Sequence, residues 1–276
     1  MTDTVDPLDG LTDDELDAII AAGEIVEWEA AQWALQPRQQ FAEEQTTRAV
    51  VGKGFELLYG GQVGGGKSIW MLWHLHNLAK RFPGSSSIFI RRSFTELEAA
   101  IRKSHEFFDR KVARWVESKK RWEFTNGSIV RFGYCEADRD VYQYQGDEFQ
   151  CVAWDELTQF PKPFPYDYLN TRLRTSRART AAGLIPHTIA STNPGNVGAN
   201  WVRKRWIDIG DPCTVYRIEN EETGHVTRRV FIPAERLVHL LQSGNLVNPP
   251  ERRIATELVE RGEPRLLDGV HLGQRR

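Results

Sequence analysis

The eight residues Gly61-Gln62-Val63-Gly64-Gly65-Gly66-Lys67-Ser68 constrain this chain more than any other stretch. They fit G-x-x-x-x-G-K-[ST], and they sit between an apolar run at 55–59 and a segment of helical periodicity at 69–79. Strand, glycine-rich turn and helix is the order that a phosphate-binding loop requires. Glycines let consecutive backbone N–H groups turn inward around phosphate oxygens, and the helix N-terminus adds the positive end of its dipole. Lys67 then neutralises charge on the terminal phosphates of a nucleotide, and the Ser68 hydroxyl is a ligand for its Mg²⁺. The competing local reading is a glycine-rich turn that holds nothing.

A phosphate loop needs a carboxylate for its metal. The apolar run at 149–154 ends in Asp155-Glu156, which places Asp155 to hold Mg²⁺ and Glu156 to orient and deprotonate an attacking water. Alone, such a pair also fits a helix cap or a solvated turn; the upstream loop gives it these roles. At 189–196 the text Ile-Ala-Ser-Thr-Asn-Pro-Gly-Asn puts small polar residues where a further strand leaves a sheet. Ligands of open α/β sheets bind in that crevice, so Asn193 is a candidate sensor of the terminal phosphate, although an Asn-Pro-Gly turn alone would explain the text.

Strand-like runs at 55–59, 87–92, 128–133, 149–154 and 187–192 alternate with helical stretches, one of them following Pro37. This spacing predicts an α/β fold with a mainly parallel sheet flanked by helices. Residues 213–234 read as two strands around a polar turn, a hairpin closing the domain. We place an acidic, helical lead at 1–35, the nucleotide-binding domain at 36–234 and a tail at 235–276. The lead holds ten acids and no Lys or Arg up to residue 30. The other 28 acids against 36 Lys and Arg leave the remainder at +8, a balance that suits a polyanionic partner or simply a solvated surface. No run approaches the ~20 apolar residues of a membrane span, so no membrane partner is expected. Cys135, Cys151 and Cys213 form no CxxC pair; they read as buried hydrophobes, with neither a disulfide framework nor a thiolate zinc site indicated.

Together these pieces resemble the ATPase domain of the large terminase subunit of tailed bacteriophages. The similar segments are GGQVGGGKS, FIRRSFTELEAAI, GSIVRFGY, YQGDEFQCVAWDELTQF, YLNTRLRT, IASTNPGNVGANWVRKRW and VFIPA, spanning about 36–234. The resemblance implies a P-loop NTPase of the ASCE/RecA-like kind that hydrolyses ATP with Mg²⁺ to drive double-stranded DNA into a procapsid. It implies a homo-oligomeric ring on the portal protein, a small terminase subunit as partner, and work in the host cytoplasm. Residue by residue, it adds Gln39 as the adenine-reading glutamine, Ser191-Thr192-Asn193 as a coupling segment, and Arg91 with Arg92 or Arg172 with Arg174 as arginines that complete a neighbour's site or touch phosphate. Of these we expect Arg91 to act in catalysis.

The sequence departs from the family in two places. Gln145-Gly146 stands where many relatives have Arg-Gly, and the 42 residues after Ala234 leave no room for the RNase H-like nuclease that usually follows; no nuclease activity is expected from this chain alone. Candidate phosphate contacts for DNA are Lys103, Arg110, Lys111, Lys119, Lys120, Arg121, Arg177, Arg179, Arg203, Lys204 and Arg205. Alternatives are another RecA-like DNA-dependent ATPase of helicase type, or a P-loop assembly module that binds ATP without turnover.

Overall fold

Continuous Val/Ile/Leu/Trp runs bury both faces of a strand, and such strands pair in parallel under helices. The computed structural model describes residues 35–47, 54–61, 66–176, 180, 182–219 and 224–234. The chain divides into two units at residues 36 and 37, and every described element lies in the second. The expected N-terminal helix and the tail from 235 lie outside the described residues.

The elements are α1 (Pro37–Thr47), β1 (Gly54–Gly61), α2 (Lys67–Arg81), β2 (Ser86–Arg91), α3 (Phe94–Phe107), β3 (Ala113–Val116), β4 (Arg121–Phe124) and β5 (Ile129–Tyr134). There follow β6 (Cys151–Trp154), α4 (Phe164–Asn170), β7 (His187–Thr192), α5 (Ala199–Val202), β8 (Tyr216–Glu219) and β9 (Val226–Ala234). Among the described residues one nine-stranded sheet runs β3-β4-β5-β2-β6-β7-β1-β9-β8. The six central strands, β5 to β9 in that order, are parallel; β3, β4 and β8 are antiparallel additions at the edges. Strand β7 separates the strand before the phosphate loop from the strand before the acid pair.

Every residue of β6 and β7 is buried. Helix α2 hides Trp70, Met71, Leu72, Leu75 and Ala79 completely, so it reads as apolar on nearly all sides. Helix α3 begins where the Ser93 hydroxyl accepts the Glu96 N–H, and it buries Leu97, Ala100, Ile101 and Ser104 at helical spacing. The expected closing hairpin is present as β8 and β9, and β9 adds in parallel beside β1.

Strands β3 and β4 were not anticipated. Asn126-Gly127 between β4 and β5 is the strongest short-range hairpin signal in this stretch. Gly127 takes φ +83°, and the Asn126 amide donates to the carbonyls of Ala79 and Lys80 at the end of α2.

Candidate nucleotide-binding site

Parallel pairing sets Ile90, Trp154, Ala190 and Leu58 level across four strands. One residue further along, Arg91, Asp155 and Ser191 lie side by side at the carboxyl ends of β2, β6 and β7. The Asp155 N–H continues the ladder to the Ile90 carbonyl. The Asp155 side chain is 0% exposed. Its Oδ1 accepts hydrogen bonds from Ser68 at 2.9 Å and from Ser191. Its Oδ2 lies 2.8 Å from Arg91 Nε as an ion pair, with no hydrogen bond of its own.

A second set of contacts runs beside the first. Lys67 Nζ donates to Asn193 Oδ1 at 2.9 Å, and Asn193 Nδ2 donates to Glu156 Oε1 at 2.5 Å. Glu156 takes the left-handed conformation, φ 56°. Its N–H donates to Ser191 Oγ at 3.1 Å. The Asn193 carbonyl accepts from the hydroxyls of Thr158 and Thr192. Burial pushes the Glu156 carboxyl above the ordinary carboxylate range, and the Asp155 charge adds to the shift. Burial likewise pulls the Lys67 ammonium down, opposed by Glu156 and Asp155.

At the end of the loop, Gly66 adopts φ 66° and α2 begins with no side chain capping its first turn. A helix start of this kind suits an anion. The buried Gln39 amide donates to the Gly66 carbonyl at 2.9 Å, whereas Gln40 is exposed. Gly61 takes φ +128° at the end of β1. Gln62, Val63, Gly64 and Gly65 lie outside the described residues.

The donor set fits a magnesium nucleotide. A hydroxyl and a buried carboxylate are hard oxygen ligands, and Ser68 Oγ and Asp155 Oδ1 already lie 2.9 Å apart. Ser68 and Asp155 would hold the metal, with Lys67 and the start of α2 facing the phosphates.

Several other expected positions have different surroundings. Arg205 is not free for DNA: it is 17% exposed and donates to both oxygens of buried Glu56, which also receives Arg229, and to Asp167. Arg203 pairs with Asp208 and Lys103 with Glu106. Lys119, Lys120 and Arg121 line an open cleft with Arg131, Tyr134 and Tyr144. Arg92 turns back to the Cys135 carbonyl at 2.7 Å, Arg172 lies over the Tyr168 ring, and Arg174 is 3.8 Å from Glu148. Arg177 and Arg179 lie outside the described residues. Cys135 and Cys151 are buried, but Cys213 is only partly so and accepts from Arg38.

No family model matches the chain, and no curated protein matches it. Among solved structures it is similar to the HK97 bacteriophage large terminase, with 12% identity and a TM-score of 0.51 over 82% of this chain and 47% of that one. It therefore spans about half the length of that protein. A point mutant of the Thermus phage P74-26 large terminase ATPase domain gives 15% identity and a TM-score of 0.47, covering 77% and 86% of the two chains. The N-terminal domain of the DNA packaging ATPase from bacteriophage phi29 gives 13% and 0.45, covering 74% and 98%. The likeness to the HK97 protein is one of fold: α/β, of the P-loop type, with a mainly parallel central sheet flanked by helices.

Proposed function

We propose that this chain is an ATP-hydrolysing motor that moves double-stranded DNA into a viral procapsid in the host cytoplasm. The observation that supports it most is the convergence of Ser68, Lys67, Asp155, Glu156 and Asn193 at the carboxyl ends of β6 and β7. Residues from three separate parts of the sequence meet there, each of the type that phosphoryl transfer to water uses.

In this reading the start of α2 and Lys67 orient the triphosphate, and Gln39 holds the loop beside the base. Ser68 and Asp155 would hold magnesium, which would supply neutralisation of phosphate charge. Glu156 takes a proton from the attacking water at a carboxylate oxygen. The new oxygen–phosphorus bond forms as the bond from the γ-phosphorus to the β–γ bridging oxygen breaks, leaving ADP. Asn193 positions Glu156 against Lys67, and Arg91 steadies Asp155 from within the same chain.

The partners that go with this function are double-stranded DNA, a portal protein, a small terminase subunit and further copies of this chain in a ring. DNA contacts would be to phosphate, since a packaging motor reads no sequence while it runs. The test is steady-state ATP hydrolysis with and without double-stranded DNA and procapsids. Turnover that DNA or procapsids stimulate supports the motor; nucleotide binding with no turnover under any of these conditions overturns it.

A further inference from the structure

The opposite ends of β6 and β7 carry a second cluster. Cys151 and His187 are direct neighbours across the two strands. His74, on the third turn of α2, places its Nε2 2.8 Å from His187 Nε2. One ligand atom from each of the three residues lies within 4.8 Å of the others, and all three are buried.

The hydrogen bonds behind these rings fix their tautomers. His187 Nδ1 is 2.8 Å from the Ile185 carbonyl, and His74 Nδ1 is 2.8 Å from a Glu43 carboxylate oxygen. Both partners can only accept, so both Nδ1 atoms carry hydrogen. At 2.8 Å the two Nε2 atoms share one hydrogen beside a thiol, and a metal ion that displaces it would meet a lone pair on each ring. A carboxylate or carbonyl behind each imidazole is how proteins orient histidine ligands of a metal.

We propose that His74 Nε2, His187 Nε2 and Cys151 Sγ form a buried site for a divalent transition-metal ion of the zinc type. Two imidazoles and a thiolate are borderline-soft donors, which select zinc-like ions over magnesium or calcium. Tetrahedral bonds of about 2.0–2.1 Å to nitrogen and 2.3 Å to sulfur put neighbouring ligand atoms about 3.3–3.6 Å apart, so the facing nitrogens need open by only about half an ångström. The absence of a CxxC pair gave no such indication from the sequence, because the ligands come from a helix and two strands 36 to 113 residues apart. Such an ion would tie α2 to the sheet and, through Glu43, to α1. It lies four residues down β6 and β7 from Asp155 and Ser191, about 13 Å at 3.3 Å per residue, and does not depend on the proposed motor function.

The test loads the full chain with Co²⁺ in the presence of excess Mg²⁺, which fills oxygen-ligand sites. We expect about one Co²⁺ per chain with a thiolate-to-cobalt charge-transfer band, displaced by Zn²⁺. The band is lost in Cys151→Ser and kept in Cys135→Ser and Cys213→Ser. Zn²⁺ at a hundredfold excess over its Kd should raise the wild-type Tm by about 5–10 °C. A wild-type spectrum with no thiolate band overturns the site without any variant, as does a band that survives Cys151→Ser. Should Cys151→Ser fail to fold, His187→Gln decides in its place: an unchanged band there overturns the site, and a weakened or shifted one supports it.

Discussion

Arg91 Nε stands 2.8 Å from Asp155 Oδ2, and the pair sits where the carboxylate is fully buried and the guanidinium 18% exposed. Arg91 thus spends its charge inside its own chain. If the proposed hydrolysis holds, Arg91→Ala should lower kcat by about 10–10²-fold, the usual cost of losing a partner that orients a metal-holding carboxylate. Mixing Arg91→Ala with Glu156→Gln chains should restore no turnover, because a residue that acts in cis cannot complement its neighbour. Recovery in the mixed assembly, read as ATP hydrolysis against subunit ratio, would make Arg91 a trans-acting group.

Glu156→Gln should keep nucleotide binding and lose turnover by roughly 10²–10⁴-fold, the span of a general-base contribution. The amide can still accept from Asn193 Nδ2 through its oxygen, so the local geometry survives while the proton acceptor is gone. Fluorescent-nucleotide titration beside single-turnover hydrolysis separates the two effects.

Gln39 and Gln40 should differ sharply. Gln39→Ala removes the donor to the Gly66 carbonyl, and a lost hydrogen bond of about 1–1.5 kcal/mol predicts a rise in nucleotide Kd of roughly 5–10-fold. Gln40→Ala, at an exposed position, should leave Kd unchanged in the same calorimetric titration.

The buried Glu56 cluster should govern stability. Burial raises the Glu56 carboxyl, yet Arg205 and Arg229 outweigh it and hold the group below the ordinary carboxylate value. The stabilisation is therefore complete above about pH 4.5 and fades as pH falls through the lower folded value. Glu56→Gln leaves two arginines without their shared charge and should cost about 3–5 kcal/mol at pH 7. Urea unfolding at pH 7 and in mild acid checks both the size and the sign.

The phosphate loop, the acid pair and the strands at β1, β2, β5, β6 and β7 were legible because each is a local pattern: a fixed spacing, or a short apolar run with turn residues at its ends. Strand order was not. Nothing in the sequence says that β7 lies between β1 and β6, since pairing depends on contacts distant in sequence. Arg205 shows the same limit. Beside Arg203 and Lys204 it reads as part of a basic surface, but it is paired with Glu56, 149 residues earlier. The His74, Cys151 and His187 cluster was hidden for the same reason.

The Asn193 amide has a sense of direction: its oxygen faces an ammonium and its nitrogen a carboxylate. An aspartate of nearly the same shape would suit Lys67 and repel Glu156, whereas alanine merely leaves both without a mediator. Shape is thus the lesser requirement at position 193; what the position demands is a side chain that is an acceptor at one tip and a donor at the other, and among residues of that length asparagine alone qualifies.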